Sequence, residues 1–288
     1  MYIFFFIIAV WTVFSLVRGY KKAGDKRKFV VKSAFGLVAV IVILFLFGPF
    51  FMISPIKIGY SVIESEKAIV YYPSSNSIKG REIFEMAEQA LQKNENFYGK
   101  LSRAKVLVGV SDIDMLRFGV YPKGNGGALN WGIVVRESRA SWNIISHELS
   151  HKNLAQFSRF GSGVFSYPRW FDEGLASYIG AMSWYRDIPQ LKEDINPGRY
   201  RSDITNWKGI SGQFTWIYQT FFARNSHLIY GQSYLMVKHL FNKYGEDKVR
   251  QLAFGAAKAP FDEVFENIFG LSVEQFHQEF IQYVTQED

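Results

Sequence analysis

Cysteine is absent from the 288 residues. That excludes a disulfide framework and a thiol nucleophile, while leaving the compartment open. Internal repeats and low-complexity tracts are absent too, so solenoids and disordered linkers are not expected. The chain also lacks a basic surface of the kind nucleic acid requires. Its net charge of +7 and pI near 9.3 suggest one at first sight. Residues 1–53, however, hold seven bases and one acid, and setting these aside leaves 26 basic and 25 acidic residues. The excess is local, and no nucleic-acid partner is expected.

What is present is apolar sequence in two blocks, Tyr2–Val17 and Ser33–Ile53. The second is long enough to cross a bilayer core of about 30 Å as a helix. The first is slightly shorter, with Trp11 and Tyr20 suited to the interface. Val17-Arg18 is a poor signal-peptide cleavage site, and a cleaved signal explains only one of the blocks. Between them lie Arg18, Lys21, Lys22, Lys26, Arg27, Lys28 and Lys32 against Asp25 alone. The expectation is a transmembrane hairpin over residues 1–55, touching lipid through residues 2–53, with this basic loop in the cytoplasm. Residues 56–288 then form a domain outside the cytoplasm, on the periplasmic or extracellular face.

The domain is organised around His147-Glu148-Leu149-Ser150-His151. This is the spacing H-E-x-x-H. Helical positions i and i+4 lie on one face, so His147 and His151 can offer imidazole nitrogens to a single metal ion. Glu148, next to the first histidine, can reach a water on that metal. Ser141 is a fitting N-cap for a helix over Ser141–Phe157. Downstream, Pro168-Arg169-Trp170-Phe171-Asp172-Glu173-Gly174 predicts a second helix entered at Pro168, with Glu173 in its first turn. Two histidines and a glutamate make the ligand set of hydrolytic zinc sites and leave a fourth position for water.

HELSH, then 21 intervening residues, then Glu173 within WFDEGLASY resembles the gluzincin metallopeptidases. It is most similar to the peptidase MA-like group, whose second motif P-x-W-x-x-E-G-x-A is matched by Pro168, Trp170, Glu173, Gly174 and Ala176. Gly126–Glu137 resembles the group's glycine-led edge strand, Tyr230–Gly245 its following helix, and Phe261–Val284 its closing pair of helices. The resemblance implies an α+β fold: the hairpin, then a thermolysin-type domain with a mixed sheet and C-terminal helices. It implies a zinc-dependent peptidase acting on peptide or protein substrates, with zinc on His147, His151 and Glu173 and with Glu148 as general base. Tyr230, at the start of the family-like helix, is the candidate oxyanion donor, with Tyr234 and His227 as rivals. Asp172 suits a partner that orients a ligand imidazole, while His239 and His277 read as structural or surface residues.

The remaining order is coarser. Pro55–Tyr60 reads as an exit segment, Ala68–Tyr72 and Ala104–Val110 as strands, and Gly80–Phe97 as the helix between them. Ser111–Tyr121 carries no clear pattern. Leu129–Arg136 reads as a strand, at the sheet edge in similar peptidases, where its backbone can pair with an extended substrate. Gln156–Tyr167 reads as a loop, and a helical segment is possible over Phe214–Arg224. Gln232–Tyr244, Asp247–Ala257, Asp262–Phe269 and Ser272–Thr285 read as helices, the first stopped by Gly245 and the last opened by a Ser272–Gln275 capping box.

Three other readings are weighed. A catalytically inactive peptidase-fold scaffold at the membrane would be signalled by loss of Glu148 or of a ligand, and all are present. An intramembrane protease is disfavoured because Asn143, Ser146, Ser150, Lys152 and Asn153 make the motif helix too polar. A metzincin would need an H-x-x-G-x-x-H extension after His147, which is missing. No G-x-M-E-N motif precedes the site, which leans away from an aminopeptidase.

Overall fold

The first two helices are α1 (Tyr2–Lys22) and α2 (Lys26–Phe47). α1 runs beyond the apolar block into Arg18, Lys21 and Lys22. Asp25 caps α2, its carboxylate accepting the Lys28 N–H at 2.9 Å. In this computed structural model residues 2–48, 50–158, 166–182, 191–193, 202–223 and 226–286 are described. Among them α2 is the one helix long and apolar enough to cross a membrane, and none of it is buried. Its 22 residues span about 33 Å.

The second apolar block does not continue as helix to Ile53, as expected from the sequence. α2 stops at Phe47, and Phe51–Ile53 form a single 3₁₀ turn. Phe51 and Met52 are 1% and 3% exposed, packed with Leu107, Met115, Phe118, Leu129 and Val134. Their hydrophobicity serves a protein core, not lipid.

A five-stranded mixed sheet follows, made of β1 (Tyr60–Glu64), β2 (Ala68–Pro73), β3 (Ala104–Gly109), β4 (Gly126–Leu129) and β5 (Gly132–Arg136). Its order is β1-β2-β3-β5-β4, with the central pairs parallel and both outer pairs antiparallel. β1 starts at the end of the segment read as an exit. The stretch Leu129–Arg136, expected as one edge strand, is divided. Asn130 and Trp131 turn the chain, so Gly132–Arg136 lies inside the sheet and Gly126–Leu129 forms its edge. Alternation along the strands serves two cores. Val106, Val108, Ile133 and Val135 face α3 (Ser77–Tyr98) and α5 (Trp142–Phe157), while Leu107 and Val134 face Phe51 and Met52. The unpatterned stretch after β3 holds α4 (Asp112–Arg117), opened by a Ser111–Asp114 capping box.

The C-terminal layer contains α6 (Arg169–Ile179), α7 (Gly209–Ile217), α8 (Ser226–Tyr244), α9 (Glu246–Gly255), α10 (Phe261–Phe269) and α11 (Val273–Gln286). One π-helical turn, Tyr218–Phe222, follows α7. α6 and α8 touch backbone to backbone, because a Cβ on Gly174 would overlap the Ser233 carbonyl. Trp170, Phe171, Phe265, Phe276 and Phe280 fill the core beneath them. The Ser272–Gln275 capping box forms as expected, at 2.7 and 3.1 Å. His239 and His277 are both buried here, and His239 faces Glu279. Most of the expected Gln156–Tyr167 loop lies outside the described residues.

Candidate metal centre

α5 begins where Ser141 Oγ accepts the Ile144 N–H at 3.3 Å. Its buried side packs on α3 through a polar seam. Asn94 donates to Ser146 Oγ at 2.9 Å, Asn153 donates to Asn94 Oδ1 at 3.2 Å, and the Tyr98 and Ser150 hydroxyls pair at 2.7 Å. These bonds fix the helix's rotation, so that His147 and His151 face α6. Glu173 lies one residue past the first turn of α6, not within it, and Asp172 occupies that turn.

The three expected ligands converge. The two Nε2 atoms are 3.1 Å apart, and Glu173 Oε2 is 3.5 Å from that of His147 and 3.3 Å from that of His151. Together they form a group able to hold a metal ion. Ligands at about 2.0–2.1 Å from a tetrahedral ion stand roughly 3.3 Å from one another, so the spacing fits. The bonding pattern fits as well: Glu173 Oε2 is buried without a hydrogen-bond donor. A buried anionic oxygen left that way is costly unless a cation completes it.

The remaining atoms of these groups are held from behind. His151 Nδ1–H donates to Asp172 Oδ1 at 2.6 Å, which leaves the Nε2 lone pair toward the site. His147 Nδ1 faces Ser177 Oγ at 3.5 Å. Arg169 was not singled out from the sequence, and it binds both carboxylates. Nη1 donates to Asp172 Oδ2 at 2.6 Å and Nη2 to Glu173 Oε1. Its guanidinium carbon lies 4.5 Å from the centre of the Trp216 ring. An arginine three and four residues before two acids on a helix was the available signal.

Electrostatics follow from this packing. Burial alone would raise the Glu173 carboxyl, but His151 and Arg169 outweigh it and hold the group well below its usual range. Asp172 is lowered by the same two cations against its burial. Burial opposes a charge on His151, yet Asp172 and Glu173 raise it well above the ordinary imidazole range. Burial pushes Glu148 up, with the two histidines pulling it partly back.

Glu148 lies against the edge strand. A Cβ on Gly126 would stand 3.1 Å from Glu148 Oε1, so the carboxylate lies beside the first residue of β4, the terminal strand of the sheet. Tyr230, on α8, has its ring centre 6.4 Å from that of His147 and 6.1 Å from that of Trp216. Burial and the nearby Glu173 charge hold its phenol well above the ordinary tyrosine range, so it stays protonated. Of the rivals, Tyr234 meets Tyr178 instead, and His227 is exposed in the first turn of α8.

The family model of the Peptidase MA superfamily matches residues 128–286, which include both motifs. The chain belongs to that superfamily, in its gluzincin-like branch. Comparison with curated proteins finds no match.

Proposed function

We propose that the chain is a membrane-tethered, zinc-dependent peptidase in which His147, His151 and Glu173 hold the metal. The observation that carries this reading is the orphaned Glu173 Oε2 facing two imidazole nitrogens whose far sides are engaged. Zinc so bound would supply Lewis acidity and bring the pKa of a water at its fourth position down to about 7. Glu148 accepts the attacking water's proton and delivers it to the departing amine. The neutral Tyr230 hydroxyl donates to the oxyanion. The substrate backbone pairs with β4, the terminal strand of the sheet beside Glu148.

The tether in this reading is the α1–α2 hairpin, with Arg18–Lys32 in the cytoplasm and the peptidase domain on the other side. We place the boundary near Gly48 instead of residue 55, because Phe51 and Met52 pack in the domain. The test of activity is a peptide library incubated with the purified full-length protein, with zinc measured in parallel. Cleavage that chelation abolishes and zinc restores is the expected result. A metal-loaded protein that cuts nothing contradicts the reading.

A further inference from the structure

α2 and Glu148 stand at opposite ends of one short strand, β4. Phe50, just past α2, has its ring centre 5.5 Å from that of Phe45 on α2 and 5.4 Å from that of Trp131 in the β4–β5 turn. Phe51 packs on Phe118 and Tyr60 at 5.5 and 5.0 Å. Met52 occupies the space that a side chain on Gly132 would fill. Among the described residues the exit from α2 is thus packed against the hairpin turn from Phe50 onward. At the far end of β4, Gly126 lies against Glu148. The run from Trp131 back to Gly126 spans at most about 17 Å at roughly 3.4 Å per residue, less the reversal at Asn130 and Trp131.

We infer that the substrates are membrane-anchored polypeptides cut in the extended segment next to the bilayer. This rests on the peptidase and tether proposed above. The sequence alone allows a slack tether of about a dozen residues after Ile53, with a reach of roughly 50 Å. The packing of Phe50, Phe51 and Met52 removes that slack and holds Glu148 within a set distance of the membrane. Adding a headgroup layer of about 5–7 Å to that upper limit of about 17 Å, an anchored chain running outward at roughly 3.4 Å per residue reaches Glu148 within about eight residues. A peptide without an anchor gains nothing from this geometry. An anchored one is presented at a raised effective concentration.

The test uses the full-length protein in phosphatidylcholine–phosphatidylglycerol liposomes. The reporter is a single apolar helix followed by identical cleavable cassettes of eight residues in tandem. Cuts are mapped by mass spectrometry, and the same cassette is supplied as a soluble peptide. Cuts in the first cassette should exceed those in distal ones by about tenfold or more, with the soluble peptide cut more slowly still. Two helical Glu-Ala-Ala-Ala-Lys units inserted between Phe47 and Gly48 add about 15 Å. They should move the cuts outward by roughly four or five residues. Cuts spread evenly over the cassettes, cuts unmoved by the insertion, or a soluble peptide cut equally fast would each overturn the inference while leaving the peptidase intact. No cut of any cassette, soluble or anchored, would strike the peptidase reading itself, and this inference with it.

Discussion

Arg169, one turn before Glu173 on the same helix, takes one oxygen of that carboxylate and leaves the other facing the two imidazoles. The guanidinium also holds Asp172, which in turn holds His151. One buried cation therefore positions one proposed metal ligand directly and a second through a carboxylate. Its fork can serve both acids at once, which a lysine ammonium cannot do with the same geometry.

Arg169→Lys should keep a cooperative melt and weaken zinc binding by about tenfold, as expected when a group behind the ligands is changed. Competition with a chelator of known affinity measures it. Arg169→Leu should do more, leaving two buried carboxylates short of a cation and costing about 3–5 kcal/mol of stability. Unchanged zinc affinity in Arg169→Lys would show that the pairing is packing alone.

The pH dependence of metal binding tests the Asp172–His151 bond. The His151 pKa lies above its ordinary value in the metal-free protein, and a protonated imidazole cannot ligate. Zinc affinity should therefore fall as pH is lowered, with the loss starting above about 6.5. Asp172→Asn removes the leading charge that raises His151, so the fall should begin at lower pH. At high pH the same variant should bind zinc about 10–100-fold more weakly. Titration with zinc from pH 5 to 9 reads both effects, and parallel curves for the two proteins would contradict the assignment.

Much of this site is visible in the sequence, and what is hidden has physical causes. His147, His151 and Glu173 are legible as a group that could hold a metal because ligation would restrict residue type and helical spacing. Asp172 is legible as the neighbour of a ligand. Arg169 is not, since an arginine before two acids reads equally well as a solvated surface pair, and only tertiary burial distinguishes them. The strand boundary at Asn130-Trp131 is hidden because LNWGIVVR is apolar on both sides of the turn. Phe51 and Met52 belong by composition to the membrane block, and only their packing against Phe118 and Leu107 assigns them to the domain.

Gly174→Ala should destabilise the fold by about 1–3 kcal/mol through overpacking. Its Cβ has no room beside the Ser233 carbonyl. Because α6 must shift to accept it, zinc affinity should fall together with the unfolding midpoint in urea. A variant with wild-type stability and metal binding would mean that the α6–α8 contact is looser than described.

Topology is open to a clean test because the chain has no cysteine. Gly24→Cys and Ser75→Cys, both at exposed positions, each create a unique thiol. A membrane-impermeant maleimide applied to intact spheroplasts should label Ser75→Cys and spare Gly24→Cys until lysis. The reverse pattern would invert the orientation and place the peptidase domain in the cytoplasm.

The most direct measurement is made on Glu148→Gln. The substitution keeps the side chain's shape and removes its ability to take a proton, while leaving His147, His151 and Glu173 untouched. Zinc per chain and cleavage of a peptide cut by the wild type are measured on the same preparation. The expected result is an unchanged zinc content of one per chain with hydrolysis lowered by at least about 10²–10⁴-fold. Near-normal turnover by the zinc-loaded variant would contradict the account.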